Sequence, residues 1–315
     1  MMAKKIFRIA EWIALAAVVT IVSLVYYLNR PVLCNRIIHL PAGSGGMIIA
    51  YLKRSGVDVN ALDGWLLRFF GYPQKGWIDM GKSRMKKGDF LYKLTHAKAA
   101  LESVTLIPGE TREIFFEQLS KRFGYDPKRL QKAYERYAPY PDGVIFPDTY
   151  RVPKGIGESH LLYYLVSRSM ARHRRLAEKF FGKYDPKQWF RYVTIASIIQ
   201  KEAADEEEMP LVASVIYNRL KKGMPLQMDG SLNYGRFSHI KVTAGRIRQD
   251  TSLFNTYKHK GLPPRPVGSV SLEAIKAAIK PAQTDFLYFV KGKNGRHVFT
   301  NRYSDHLRVL RSVNK

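Results

Sequence analysis

Residues 188–202 read QWFRYVTIASIIQKE, and the spacing of their apolar side chains predicts a helix with one inward face. Val193, Ala196 and Ile199 recur at the three-residue interval that aligns side chains on one side of a helix. The apolar run then passes directly into Gln-Lys-Glu. Glu202 lies three residues beyond Ile199, so we expect its carboxyl near the buried face rather than opposite it.

A carboxyl in this position has two interpretations. If it is partly desolvated, its pKa rises and it can act as an acid near neutral pH. Alternatively, Glu202 is a solvated glutamate at a helix end, and the apolar periodicity alone favours this second interpretation. The acidic run at 205–208 that follows is interpreted as a solvated loop or helix start, where carboxylates suit the positive end of a helix.

The second half of the chain is mostly helical by its apolar spacing. We predict helices at 159–181, 209–222 and 272–280, strands at 286–290 and 297–300, and a last helix from Ser304. Ser271 is the expected N-cap of the helix at 272–280. In the first half, a short strand, a Pro-X-Gly or Pro-Gly turn and a helix follow one another twice. The predicted strands are 37–40 and 104–107, and the second helix runs from about 112 to 123. This pattern is either a repeated small α+β unit or a coincidence, because each copy is short.

The net charge bears on which kinds of molecule the protein binds. The 315 residues include 52 Lys and Arg against 26 Asp and Glu, a formal charge of +26. Nucleic acid, anionic lipid, an acidic polymer or a generally basic proteome would each explain this excess. The basic residues are scattered and no zinc-finger or RNP-type motif occurs, so we expect no nucleic acid partner. One cysteine, Cys34, excludes an intramolecular disulfide, and no His/Cys cluster has zinc-ligand spacing.

The N-terminus predicts a membrane anchor. Residues 12–29 (WIALAAVVTIVSLVYYLN) carry no charge and reach the length that a helix needs to span a bilayer. Lys4, Lys5 and Arg8 precede them, and positive charge beside a first span favours keeping the tail at 1–11 in the cytoplasm. We therefore predict a single-pass protein of the cytoplasmic (inner) membrane, with the rest of the chain outside, in the periplasm.

Two other leader types fit less well. A cleavable signal peptide needs small residues beside the cut site, and residues 26–31 offer none. A lipoprotein needs a small residue before its cysteine, but Leu33 precedes Cys34. We therefore expect the anchor to remain uncleaved.

Seven segments, in order, carry a family resemblance. ASIIQKE at 196–202 resembles the ASI-(V/I)-x-K-E signature of the YceG-like family, the endolytic murein transglycosylases. The other segments that resemble family motifs are LIPGET at 106–111, VIFPDTY at 144–150, EMPLVASVIYNRL at 208–220, GMPLQMD at 223–229 with Tyr234-Gly235, Asn255-Thr256-Tyr257 with GLPP at 261–264, and HVF at 297–299 with His306. Together they cover almost all of the chain beyond the predicted anchor.

The resemblance implies a lyase that cleaves the MurNAc–GlcNAc β-1,4 bond of nascent glycan strands, leaves 1,6-anhydroMurNAc ends and terminates glycan elongation. The family's catalytic glutamate matches Glu202, and no cofactor is implied. The implied partners are peptidoglycan strands, the membrane and peptidoglycan synthases. The expected substrate-binding residues are Asn218, Gln227, Asp229, Tyr234, Asn255, Tyr257 and His297. Structural roles remain open for several of them, such as a cap for Asn218 or Asp229 and a core position for Tyr234.

The resulting prediction is an α+β fold. A cytoplasmic tail (1–11) and a transmembrane helix (12–29) precede a small LysM-like α+β module (36–138) and a mostly helical catalytic domain with short strands (139–315). The LysM-like module is implied by the resemblance. The boundary follows the two prolines near 138–141, which break the helical pattern.

The chain departs from the family pattern at several positions. Gln200 replaces a first glutamate, and Asp-Gly-Ser-Leu at 229–232 replaces an Asp-Pro-Thr-Val run. These changes concern the substrate groove more than the chemistry, because Glu202 itself matches.

Three other functions compete with this prediction. A membrane-anchored peptidoglycan-binding protein without activity would tolerate Glu202→Gln. A nucleic-acid-binding membrane protein would show steeply salt-dependent binding. A pyridoxal-phosphate lyase would need a Schiff-base lysine, for which Lys201 is the nearest candidate.

Overall fold

The computed structural model describes residues 2–313, with side chains described from Phe7 onward. The chain forms two compact units. The first runs to Glu102 and includes Arg151–Ile156, and the second comprises Ser103–Tyr150 and the chain from Gly157 onward. Lys4 and Lys5, which support the predicted orientation in the membrane, lie outside the described side chains.

The first unit is built on short antiparallel strand pairs. Its elements are α1 (Met2–Asn29), β1 (Pro31–Leu33), β2 (Ile37–Leu40), α2 (Gly45–Arg54), α3 (Ala61–Phe70), β3 (Gly76–Asp79), β4 (Arg84–Lys86) and α4 (Lys87–His96). β1 pairs with β4, and β2 pairs with β3. Between β2 and β3, α2 and α3 pack on each other, so these four elements form a β-α-α-β unit with a shared apolar core.

Helix α1 contains the candidate membrane span. Phe7–Asn29, 23 residues, is long and apolar enough to cross a membrane. At 1.5 Å per residue this stretch is about 35 Å long, against about 30 Å for a bilayer hydrocarbon core. The predicted span at 12–29 lies within this stretch, and Arg8 and Glu11 of the same helix precede it.

The end of α1 is held against the rest of the first unit through Tyr27, which contacts a buried ion pair. The Asp63 and Lys87 side chains are fully buried, and their charged atoms lie 3.3 Å apart. The Tyr27 hydroxyl donates to Asp63 Oδ1 at 2.9 Å and accepts from Lys87 Nζ at 3.3 Å. Removing one partner of such a buried pair costs about 3–5 kcal/mol, so this network holds the end of α1 firmly.

The second unit begins with another β-α-α-β succession. β5 (Leu101–Leu106) and β6 (Asp148–Pro153) pair with each other and flank α5 (Arg112–Phe123) and α6 (Pro127–Tyr137). The division between the two units passes through both strands. Both predicted strand–turn–helix copies are therefore present, as β2–α2 and β5–α5.

The rest of the second unit is mostly helical. Its elements are α7 (Glu158–Phe181), α8 (Pro186–Glu202), α9 (Met209–Lys221), α10 (Asp229–Leu232), α11 (Ala244–Gln249), α12 (Leu272–Ile279), β7 (Tyr288–Lys291), β8 (His297–Thr300) and α13 (Tyr303–Val313). The predicted domain boundary near 138 falls inside this unit, where α6 packs on α7. The functional domains at 36–138 and 139–315 stay predictions.

Helix α8 is the central element of this unit, and its local sequence explains its limits. Asp185 caps it by accepting hydrogen bonds from the next N–H groups, and Pro186 occupies the first turn, where a missing N–H is harmless. Its residues from Trp189 to Ile199 include nine buried side chains, and the helix packs against α9, α10 and α12. Ala203 is extended, so Glu202 is the last helical residue.

Candidate active site

Glu202 lies in the wall of a cavity of about 200 Å³ in the second unit. The wall combines the end of α8, one residue of α9, the segment around α10, one residue from the connection between α11 and α12, and the β7–β8 hairpin. The lining residues are Glu202, Arg219, Leu226, Gln227, Asp229, Tyr257, Phe289, Val290, Lys291 and His297. The structure thus brings the predicted catalytic residue together with four of the predicted substrate-binding residues: Gln227, Asp229, Tyr257 and His297.

A larger cavity of about 1020 Å³ runs beside α7 and is lined by basic side chains such as Arg168, Arg172 and Arg175. These side chains offer positive charge that can attract an anion. The smaller cavity is the better candidate for catalysis because it contains a carboxyl able to exchange a proton near neutral pH.

Burial raises the pKa of Glu202 to about 7. The Gly230 N–H, which donates to Glu202 Oε1 at 2.6 Å, acts in the opposite direction, and the negative charge of Asp229 adds to the rise. Both protonation states of Glu202 are therefore well populated at neutral pH. A single group that first donates and then accepts a proton works best in that range.

Gly230 permits the close approach of the α10 loop to α8. A Cβ at this position would lie 2.8 Å from Lys201 Cβ and 2.9 Å from Glu202 Oε1. A proline, which the family pattern has at this position, carries no N–H to donate. The hydrogen bond from Gly230 to Glu202 is therefore a feature of this chain's own Asp-Gly-Ser-Leu loop.

Asp229 is the second carboxylate in the cavity. It accepts a hydrogen bond from the Tyr257 hydroxyl at 2.7 Å. Burial raises the pKa of Tyr257, and the hydrogen bond and charge of Asp229 raise it further, so the phenol stays protonated. This hydrogen bond fixes Asp229 and Tyr257 relative to each other beside Glu202.

Gln227 has a strained backbone at the edge of the cavity. Its φ is 51°, the one positive value among the described residues other than glycine. This conformation costs about 1–2 kcal/mol for a residue with a side chain. Arg219 supports it by donating to Leu226 O at 2.7 Å and to Gln227 Oε1 at 3.3 Å. Strain held by neighbouring groups is common where a side chain is presented to a ligand.

His297 is oriented by Glu208. The His297 Nδ1 and the carboxylate Oε2 lie 2.7 Å apart, and the His297 backbone N–H donates to Oε1 at 2.7 Å. Although burial acts to raise it, these bonds and one from the Ala204 N–H lower the pKa of Glu208, which therefore stays ionised. With Nδ1 turned to the carboxylate, Nε2 is the ring nitrogen left for the cavity.

The other three predicted contacts are not in the cavity wall. Asn218 donates from Nδ2 to the carbonyls of Thr284 and Phe286, both at 2.9 Å. Asn255 is completely buried and holds its loop by donating to Ile247 O and Asp250 O, so its side chain is not accessible to a substrate. Both side chains therefore make contacts within the protein, and a substrate-binding role for Asn218 stays a prediction.

Tyr234 lies elsewhere as well. Its hydroxyl donates to Asp250 at 3.2 Å, and its ring stacks on Phe254 with centroids 4.2 Å apart. It lines a different cavity, of about 300 Å³, together with Glu113 and Asp142.

Sequence reasoning missed Arg219, Phe289 and Lys291 as lining residues, and Glu208 as the partner of His297. Arg219 and Glu208 both lie in the family-like segment 208–220. Their place in that segment was an available signal, but neither had an evident role without its hydrogen-bond partners. Phe289 and Lys291 belong to β7 and to no matched segment.

Two residues beside Glu202 make contacts of their own. Gln200, the departure from the family pattern, accepts a hydrogen bond from the Ser271 N–H at 3.0 Å and so joins α8 to the start of α12. Lys201 donates from Nζ to Ser238 Oγ at 3.1 Å, and burial lowers its pKa to about 8. Neither side chain lines the Glu202 cavity.

Comparisons with known proteins agree with the family resemblance of the sequence motifs. A sequence model of the YceG-like family matches residues 39–312. The chain is 39% identical over 116 residues to an endolytic murein transglycosylase of Bacillus subtilis (strain 168), an alignment that covers 37% of this chain and 32% of that protein. It is 34% identical over 182 residues to the endolytic murein transglycosylase of Streptococcus pneumoniae serotype 2 (strain D39), covering 55% of this chain and 32% of that protein. The alignments thus span about a third of the length of these curated relatives.

The fold is also similar to a solved structure. A crystal structure of a yceG-like protein from Listeria monocytogenes superposes with a TM-score of 0.56 at 21% identity, covering 87% of this chain and 98% of that one. At this identity the comparison concerns the fold.

Proposed function

This chain belongs to the YceG-like family, and we propose that it is an endolytic peptidoglycan lytic transglycosylase with Glu202 as its acid and base. The observation that carries the proposal is the position of Glu202 in a polar cavity where burial raises its pKa to about 7. Relatives named endolytic murein transglycosylase support the same reaction class.

One carboxyl is sufficient for this reaction because the nucleophile belongs to the substrate. Glycosidases that use water normally need two carboxyl groups, one as acid and one as base or nucleophile. In the lyase, the C6 hydroxyl of MurNAc attacks its own C1, the bond from C1 to the GlcNAc oxygen breaks, and a 1,6-anhydro bond forms. Glu202 donates its proton to the departing oxygen and takes one from the C6 hydroxyl. The sugar ring supplies most of the alignment that an enzyme would otherwise impose.

The other lining residues suit a sugar with hydroxyl and amide groups. Gln227 and His297 offer hydrogen-bond donors and acceptors, and Phe289 offers an apolar face. Asp229 holds the pKa of Glu202 up and orients Tyr257. We assign substrate contact to Gln227, His297 and Tyr257, and a tuning role to Asp229.

The proposal extends to the cellular setting. α1 would span the cytoplasmic membrane, and the length and apolarity of Phe7–Asn29 support the span. Its N-terminus would lie in the cytoplasm and the remaining chain outside, as the basic residues before the span predict. The β2-α2-α3-β3 unit is consistent with a LysM-like glycan-binding module. Termination of nascent strands, and peptidoglycan synthases as partners, follow from the family resemblance.

A second candidate reaction is hydrolysis. Asp229 places another carboxylate in the same cavity, and a water activated by it would attack C1 instead of the C6 hydroxyl. The two reactions differ in their products, because hydrolysis leaves reducing ends.

The test is mass spectrometry of glycan strands incubated with the full-length protein, its Glu202→Gln variant and a Glu206→Gln control. Glu206 is an exposed glutamate four residues on, outside the cavity wall. Internal fragments with 1,6-anhydro ends should appear with wild type and Glu206→Gln and be absent with Glu202→Gln. Reducing ends would show hydrolysis, and glycan binding without cleavage by any of the three would show a binding protein.

A further inference from the structure

Helix α3 has an unpartnered apolar face. Leu62, Trp65 and Phe69 are 45%, 53% and 72% exposed, and Tyr72 just beyond the helix is 95% exposed. The spacing of Leu62, Trp65 and Phe69 places them on one side of the helix, while Leu66 and Leu67 face the core. Trp65 and Phe69 contact each other edge to face, with centroids 4.9 Å apart. Contiguous exposed aromatic side chains of this kind mark an interaction surface.

This face lies close to the end of the candidate membrane span. Tyr27, two residues before the end of α1, contacts both Asn60, the N-cap of α3, and Asp63 in its first turn. The buried Asp63–Lys87 ion pair completes the junction, and Leu28 lies against Gly88 of α4. Since α1 and α3 belong to the same compact unit, the start of α3 is held at the level of Tyr27.

The distances along α3 are comparable with the thickness of the polar layer at a bilayer surface. Along the helix axis, Trp65 lies about 3 Å and Phe69 about 9 Å from Asp63, at 1.5 Å per residue. The polar layer between hydrocarbon and water is about 5–8 Å thick on each side of a bilayer. If α1 spans the membrane, the first turns of α3 lie within or beside this layer.

We propose that the Leu62–Trp65–Phe69 face of α3 lies in the lipid–water interface of the membrane that α1 crosses. The inference rests on the proposed membrane span. Trp, Phe and Leu on one face, with a basic residue such as Arg68 beside them, form the side-chain set of helices that lie in an interface. The first unit would then contact the bilayer at two places, the span and α3, and could not swing freely on α1.

The test uses the single cysteine of the chain. Cys34→Ser removes the native thiol, and nitroxide labels are then placed singly by Phe69→Cys, Leu62→Cys, Val18→Cys or Tyr163→Cys in the full-length protein. Val18 is an exposed residue in the middle of α1, and Tyr163 is an exposed aromatic residue on α7 in the second unit. The labelled proteins are reconstituted in phosphatidylglycerol–phosphatidylethanolamine vesicles. Electron paramagnetic resonance then measures collisions with oxygen, which concentrates in lipid, and with a nickel chelate, which stays in water.

The oxygen-to-nickel ratio should be highest at Val18, intermediate at Phe69 and Leu62, and low at Tyr163. Ratios at Phe69 and Leu62 equal to that at Tyr163, with Val18 still high, would overturn the inference and leave the span intact. Shielding of both positions from both reagents would mean that a protein covers the face, and would also overturn it. A low ratio at Val18 would remove the span and the inference together.

Discussion

Replacing Glu202 by Gln should stabilise the protein at alkaline pH. The pKa of Glu202 is raised from 4.5 to about 7, so the folded protein resists its ionisation. A raised pKa means that Glu202 keeps its proton up to a higher pH in the folded state than in the unfolded chain. Stability is therefore lost as pH rises from about 4.5 to 7. With each pKa unit equal to 1.36 kcal/mol, the full loss is about 3 kcal/mol above pH 7.

Glutamine removes this penalty while keeping an oxygen that can accept from the Gly230 N–H. The Glu202→Gln variant should match wild type in stability near pH 4.5 and exceed it by up to about 3 kcal/mol at pH 8. For a folded unit the size of the second unit, which contains Glu202, that difference in stability raises Tm by roughly 6–12 °C. The assay is thermal unfolding of both full-length proteins in the same detergent, across that pH range.

Glu208→Gln is the matched control, with the opposite sign. The pKa of Glu208 is lowered, so its ionised form contributes stability that is present above the ordinary glutamate pKa and is lost only in acid. Glu208→Gln should therefore be less stable than wild type at both pH 5 and pH 8. A Glu202→Gln variant whose Tm difference from wild type does not change with pH would refute the claim that partial burial raises the pKa of Glu202.

Three further predictions concern the cavity. Asp229→Asn should move the alkaline limb of the kcat/KM profile to lower pH, because the charge that helps to raise the pKa of Glu202 is gone while an acceptor for Tyr257 remains; an unmoved limb would contradict this. Gln227→Gly should be about 1 kcal/mol more stable than Gln227→Ala in thermal unfolding, since only glycine adopts φ of 51° without strain. Gly230→Ala should lower kcat about 100-fold by displacing Glu202, and near-normal turnover would show that the loop can yield.

The sequence was informative where the physics is local. The apolar spacing of α8 placed Glu202 near the buried face, although periodicity alone favoured a solvated glutamate at the helix end. Ser271 was correctly identified as the cap of α12, where it accepts from the Ala274 N–H. The strand at Ile37–Leu40 and the helix at Arg112–Phe123 have the bounds that were predicted. In each case neighbouring residues determine the geometry.

The sequence was less informative where contacts join segments that are distant along the chain. His297 and Glu208 are 89 residues apart, and neither periodicity nor spacing indicates that they pair. Asn255 carries a polar side chain in a family-like motif, which suggested a ligand contact, but its side chain donates to carbonyls only eight and five residues away along the chain. The left-handed backbone of Gln227 was equally hidden, because it depends on support from Arg219 in a different element.

The central claim is that Glu202 drives cleavage without water, and oxygen-18 tests it most directly. Glycan strands are digested by the full-length protein in oxygen-18 water, and the new ends are analysed by mass spectrometry. The proposed mechanism predicts anhydro ends that contain no heavy oxygen, because the ring closes with the sugar's own C6 oxygen. Ends that carry one oxygen-18 atom would show that water is the nucleophile and would contradict it.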